Sequence, residues 1–186
     1  MFNISTKYSQ NSDFKAILVS KSSNLLSLRS LIDLKSANEL KNKASKNKRG
    51  FTFISQINNS KFKNFYFFNI NDKMIDHEYQ DLGGLIVSEA LSLKKNKIEI
   101  LFDTLPKQIK NNKSIIQNIL IGVLSKNYSF SNYKQKDQPK KIANINLVYS
   151  NKSFVKQALK YAESINAGVT ETRNLVTTPP NILNPV

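Results

Sequence analysis

The chain has 186 residues, 40% of them apolar, with eleven Phe and seven Tyr, enough to bury one core of ordinary size plus an appendage. It has no Cys, which excludes disulfides, thiolate metal ligands and a cysteine nucleophile and fits a reducing cytoplasm. Its net charge of +15 raises nucleic acid or an anionic membrane as a partner, but only three of the 28 basic residues are Arg, so only weak, salt-sensitive nucleic-acid binding is expected.

The 25 Lys, 24 Asn and 19 Ile are inflated together and share A/T-rich codons, so genome composition accounts for much of the basicity. Residues 1–8 contain no apolar stretch of the signal-peptide kind. The best apolar run, 115–124, is interrupted by Gln117 and Asn118 and is too short for a bilayer. A cytoplasmic location without a membrane is expected.

In chain order, residues 14–19 (Phe-Lys-Ala-Ile-Leu-Val) read as a short strand, apolar on both faces. Residues 25–34 fit a short helix or irregular turn, and 37–48 are polar nearly throughout, an exposed helix fraying toward Gly50. Residues 51–57 and 64–70 read as neighbouring strands, plausible as a hairpin, and the aromatics Tyr66, Phe67 and Phe68 fit a core better than a base-stacking platform. Residues 76–94 show a partial helical period, and Gly83-Gly84 inside them either permits close packing or marks the helix start; packing is the preferred reading over a phosphate cradle, because no phosphate-loop motif accompanies them.

Residues 97–103 read as a strand ended by Pro106, and 113–126 as a helix with Ile115, Ile116, Ile119, Leu120, Val123 and Leu124 on one face. A charged loop over 135–141 precedes a last strand over 142–149. Ser153 suits the N-cap of a final helix from Phe154 to about Leu175, with Val155, Leu159, Ala162, Ile165, Val169, Thr172 and Val176 as its stripe. Strands alternating with helices predict an α/β layered domain with a mixed, largely parallel sheet.

That helix runs into a hard stop. Pro179 and Pro180 remove two backbone donors, Thr178 is pushed toward extended backbone, and Pro185 repeats the effect, leaving 181–184 as a stiff, non-helical crossing. The same stretch resembles the segment of the cytosol (leucine) aminopeptidases that joins their N-terminal domain to the catalytic domain. Gly168, Arg173, Leu175, Val176, Pro179, Pro180, Asn181, Leu183 and Pro185 match in register, while Asn174 stands where the family usually has Asp and Thr177 where it has Asn. A second segment resembles an element late in the family's N-terminal domain: Gly122, Tyr128, Phe130, Tyr133 and Lys134 match, with Ser129 and Ser131 in place of the usual Arg and Asp.

The resemblance implies a three-layer, macro-domain-like domain over 1–150, a linker helix over 151–178, and the start of a catalytic domain over 179–186. It implies a protein that removes N-terminal residues from peptides with two divalent metals, Mn or Zn, held by a C-terminal domain outside this chain. No catalytic or metal-ligating residue is carried over onto these 186. The implied partners are the protein's own catalytic domain and further copies in a hexamer, and the implied role is assembly and active-site access.

The residues read by themselves agree. The single His, His77, lies between Asp76 and Glu78, and three consecutive helix positions point different ways and cannot converge on one metal. Asp72, Asp76, Glu78 and Asp81 could form a weak hard-cation site, but acidic residues near a helix start are accounted for by the helix dipole. Two alternatives remain: a stand-alone module with a macro-like cleft for a nucleotide-type ligand, and a basic nucleic-acid-binding or assembly module.

Overall fold

The structure is a computed structural model that describes residues 1–9, 12, 14–29, 32–47, 50–58, 61–71, 73–129 and 141–178. In chain order it has β1 Phe2–Ser5, β2 Phe14–Val19, a 3-10 turn at Leu26–Leu28, α1 Leu34–Lys46, β3 Phe51–Asn58, β4 Lys61–Asn69, α2 Asp76–Ser92, β5 Lys97–Leu101, α3 Lys107–Lys110, α4 Lys113–Asn127, β6 Asn144–Val148 and α5 Lys152–Thr177. Among the described residues six strands form one sheet in the order β1-β6-β5-β2-β4-β3. Every pairing is parallel except the β3–β4 hairpin, which runs antiparallel with Phe51 opposite Phe68. The mixed, largely parallel α/β architecture read from the sequence is therefore the one found.

Strand β2 sits at the centre, and all six of its residues are buried. Its alternation divides the interior. Phe14, Ala16 and Leu18 face a core shared with α2, α4 and α5, while Ile17 and Val19 face a smaller one closed by α1 and the 3-10 turn. Helices thus cover both faces of a central sheet, giving three layers. Phe14 stacks on Tyr66 at 4.2 Å between ring centroids, and Phe51 on Phe68 at 5.3 Å, so these aromatics are core, as expected.

The most consequential departure from the sequence reading is also in β2. Lys15 interrupts an otherwise apolar strand and is fully buried, opposite Glu99 of β5, itself 1% exposed. Lys15 Nζ donates to Glu99 Oε2 at 2.7 Å and to the carbonyls of Ser9 and Ser12 at 2.7 and 3.3 Å. Glu99 Oε1 accepts from Ser9 N at 2.7 Å and from Asn146 Nδ2 at 2.8 Å. A buried ion pair persists only when such bonds replace the lost water. Here they tie the loop after β1 onto β2, β5 and β6.

Three other elements differ from the sequence reading, while the 25–34 segment agrees with it. Strand β1, which the sequence reading did not mark as a strand, pairs with β6 at the sheet edge; its Phe-Asn-Ile-Ser alternation is only four residues long. As expected of a short helix or turn, the 25–34 segment contains the 3-10 turn at Leu26–Leu28, with Leu25, Leu28 and Ile32 buried. Helix α1 starts at Leu34 rather than Ala37, with Asp33 Oδ2 accepting from Ser36 N at 3.0 Å, and it is not an exposed helix: Ala37, Leu40 and Ala44 are buried. That stripe is narrow enough for the surrounding Lys and Asn to hide it. Finally, α5 is capped by Asn151, whose side chain accepts from Phe154 N at 3.1 Å, so the helix begins before Ser153.

The predicted close packing at the glycines is found and is mutual. Gly83 of α2 faces the backbone of Ile119 and Val123, and Gly122 of α4 faces the backbone of Gln80; a Cβ at either position would overlap main-chain atoms of the opposing helix. Gln80 Nε2 donates to Asn118 Oδ1 at 2.8 Å across the same crossing. Helix α5 then packs on α4 through Val155, Ala158, Leu159 and Ala162, all buried.

Candidate functional site

The two segments that carry the sequence resemblance come together in space. Helix α4 delivers Tyr128 at its C-cap, and the last turns of α5 deliver Arg173 and Asn174. The Arg173 guanidinium lies over the Tyr128 ring, 5.5 Å from its centroid, and Arg173 Nη1 donates to the Ser125 carbonyl at 3.0 Å. Tyr128 Oη donates to Asn174 Oδ1 at 2.6 Å. The substitution of Asn for the family's usual Asp therefore keeps an acceptor where Tyr128 needs one, though a neutral amide holds it less strongly than a carboxylate would.

Around this clasp the helix changes character. Asn166 accepts from Ser125 Oγ at 3.5 Å and Val169 is half-buried, but Ile165 is 42% exposed, Leu175 50% and Val176 81%. Tyr128, Thr172, Arg173, Val176 and Thr177 line an apolar groove of about 400 Å³. Thr177, the second departure from the family pattern, turns its hydroxyl onto its own helix, donating to the Arg173 carbonyl. The site thus has a polar clasp on the body side and an uncovered apolar ridge on the solvent side.

The other sequence-singled residues divide clearly. Gly122 is buried at the α2–α4 crossing, which explains the glycine sterically. Gly168 is exposed with open space around its Cα, and nothing in the structure explains a glycine there. Phe130, Tyr133, Lys134, Pro179, Pro180, Asn181, Leu183 and Pro185 lie outside the described residues, as do Ser131 and Asp72. The reading of 181–184 as a stiff crossing lies there too.

Among the described residues, acid–base and metal-binding side chains do not cluster at this site. His77 is exposed in the first turn of α2, and Glu78 Oε2 accepts from Ile75 N at 2.9 Å, a helix-capping role. Among the described residues no cluster of three or more His, Asp or Glu side chains could hold a metal ion. Where ionisation is perturbed, the cause is local: burial first and the Asp103 charge second push the Tyr149 phenol above its ordinary range. Burial and Glu89 do the same to Tyr66. No helix among the described residues is long and apolar enough to cross a membrane.

Comparison with known proteins points to the same family as the resemblance. No family model matches the chain. Over 113 residues, 58% of its length, it is 33% identical to a probable cytosol aminopeptidase of Phytoplasma mali (strain AT), and over 115 residues 30% identical to one of Rhizobium etli (strain CIAT 652). The chain spans only about a fifth of those proteins, 22% in each case. Among solved structures, a tomato leucine aminopeptidase mutant superposes with a TM-score of 0.66 at 17% identity, covering 99% of this chain and 39% of that one. The chain therefore resembles one part of the cytosol aminopeptidases, in sequence over more than half its length and in fold over nearly all of it.

Proposed function

We propose, from its likeness to one part of the cytosol aminopeptidases, that this chain is the non-catalytic N-terminal domain and linker of a leucyl aminopeptidase. In this reading residues 1–150 form the domain, 151–178 the linker helix and 179–186 the entry to the catalytic domain. The full protein would remove N-terminal amino acids from peptides in the cytoplasm with two divalent metals, Mn or Zn, bound outside these residues. The chain's own task would be assembly into the hexamer and control of access to the active site. The observation that carries the reading is the clasp of Tyr128 with Arg173 and Asn174. It joins the two segments that match the family and leaves Leu175 and Val176 facing out, where a following domain would cover them.

The test has two arms. The purified 186-residue chain, given manganese or zinc and a leucyl chromogenic substrate, is expected to show no turnover. A protein carrying the coding sequence read on past Val186 is expected to show metal-dependent turnover. Activity of the short chain that survives a contamination control would overturn the reading, as would a downstream sequence without an aminopeptidase catalytic domain.

A further inference from the structure

We propose that strand β3 is a docking edge for a second copy of this chain, the two β3 strands pairing antiparallel about a twofold axis at Ser55. The hydrogen bonds of β3 decide which of its groups are available. Asn69 N donates to the Gly50 carbonyl at 2.8 Å and Phe51 lies opposite Phe68, so the even-numbered residues of 52–58 bond with β4. The N–H and C=O groups of Phe53, Ser55 and Ile57 therefore point away from β4, and β3 is the last strand of the sheet. Phe51 bears this out: its outward carbonyl accepts from Asn47 Nδ2 at 2.7 Å. That side chain closes one end of the edge and leaves the next outward residues open.

Symmetry, charge and position identify the occupant. The outward residues 53, 55 and 57 are centred on Ser55, so an antiparallel copy sets Phe53 against residue 57 and Ser55 against its own counterpart, each pair exchanging both backbone bonds. Such an interface is isologous and closes at two copies. Strand β3, Phe-Thr-Phe-Ile-Ser-Gln-Ile-Asn, holds no charged residue, no Pro and no Gly, in a chain of net charge +15. Edge strands that must stay single are usually guarded by Lys, Pro or a bulge. Here two basic copies can meet along a neutral strip, where an acidic partner would find no lysine to pair with. Helix α5 packs on α4 and touches β1, the opposite edge of the sheet. That edge lies five strand spacings, about 24 Å, from β3, so the chain continuing from α5 sets out from the far side.

The packing of β3 suits the same pairing. The rings of Phe14, Tyr66 and Phe53 stack across β2, β4 and β3 at 4.2 and 5.6 Å between centroids, and the row ends at Phe53, 59% exposed. A neighbouring strand would give that last ring the cross-strand contact it lacks on its open side. On the opposite face Ile54 packs on the core closed by α1, so the strand is already held in shape and a partner would not have to order it. The pairing rests on strand geometry and stands or falls apart from the aminopeptidase reading.

The test is sedimentation velocity on the whole chain over a concentration series, at about 150 mM salt where repulsion between the copies is screened. A monomer–dimer equilibrium is expected. Phe53→Lys, which charges an edge position already largely in water, should weaken the dimer at least about tenfold while leaving the thermal midpoint little changed. Because the chain has no Cys, introduced cysteines give a second readout that does not depend on a loss. Ser55→Cys should cross-link the dimer on mild oxidation, since directly opposed residues of such a pair have Cα atoms about 5.5 Å apart, within disulfide reach. Val176→Cys, on the exposed ridge of α5, should not. A chain that stays monomeric throughout, a dimer indifferent to Phe53→Lys, or cross-linking through position 176 in preference to position 55 would each overturn the proposal. So would a monomer that takes an added extended peptide along β3, which would assign the edge to another protein.

Discussion

The first and second halves of α5 are one continuous helix of 26 residues in two different environments. From Val155 to Ala162 its apolar side chains are buried against α4 and the sheet, and its first turn is held where Phe154 meets Tyr149, with 5.9 Å between ring centroids. From Ile165 onward the same apolar periodicity continues, but Ile165, Leu175 and Val176 are exposed and Val169 only half-buried, and polar contacts through Asn166, Arg173 and Asn174 hold the helix to the body. Amphipathic spacing thus specifies which side of a helix seeks cover, but not whether the chain itself supplies that cover. The second half leaves Ile165, Leu175 and Val176 largely in water.

The difference is sharpest in a paired truncation. Leu159→Ala should cost about 2–5 kcal/mol, because it empties a packed site between α5 and the core. Leu175→Ala should change stability by less than about 0.5 kcal/mol, since half of that side chain is already in water. Denaturant titration of the two variants reads both numbers, and equal losses would show that the second half is packed in solution after all.

A smaller effect, on both halves together, is expected at the support beneath them. Gly122→Ala forces a methyl group toward the Gln80 backbone and must part α2 from α4, on which α5 rests. A loss of about 1–3 kcal/mol is expected, with a lowered thermal midpoint. An unchanged midpoint would mean that the crossing is looser than its geometry.

Cutting the clasp should separate the halves. Arg173→Ala removes a partly exposed cation–aromatic contact and one hydrogen bond, worth about 0.5–1.5 kcal/mol. Hydrogen exchange should quicken over residues 169–178 while residues 152–162 keep their protection. Uniform acceleration along the helix would break the two-environment picture.

The smallest effect is alkaline and touches the first half. The Tyr149 phenol is raised above its ordinary value when folded, chiefly by burial, so folding favours the neutral form. That contribution is complete below the unfolded value near 10 and is lost as pH rises through the higher folded value. Tyr149→Phe should flatten the decline in stability above about pH 10 relative to the unaltered chain, and an identical decline would assign it elsewhere.

Much of the fold was legible because local pattern and tertiary role agree in most elements. The apolar runs of β2, β4 and β5 and the stripe of α4 are unambiguous at their own length scale. Where they disagree, the sequence misleads for identifiable reasons. Lys15 looks like a surface residue until Glu99, 84 positions away, lies opposite it. The buried Ala37, Leu40 and Ala44 of α1 make too thin a stripe to stand out among Lys and Asn, and the alternation of β1 is too short, at four residues, to mark a strand without its partner β6. Of the candidate site, the residue identities were legible from the family resemblance, but their meeting was not, because Tyr128 and Arg173 are brought together only by the packing of α5 on α4.

By itself the sequence determined the alternation of strands and helices, the presence of a long last helix, the proline stop beyond it and the two segments that resemble the cytosol aminopeptidases. These follow from backbone restrictions and side-chain periodicity, which act within a few residues. Only the tertiary structure decided that a buried ion pair closes the loop after β1, that Gly83 and Gly122 let two helices touch, and that Asn174 takes the Tyr128 hydrogen bond in place of an aspartate. It also decided that the stripe of α5 is half core and half open surface. Each of these depends on which distant residue lies opposite, and that is set by the sheet order and the helix crossings rather than by anything neighbouring in the chain.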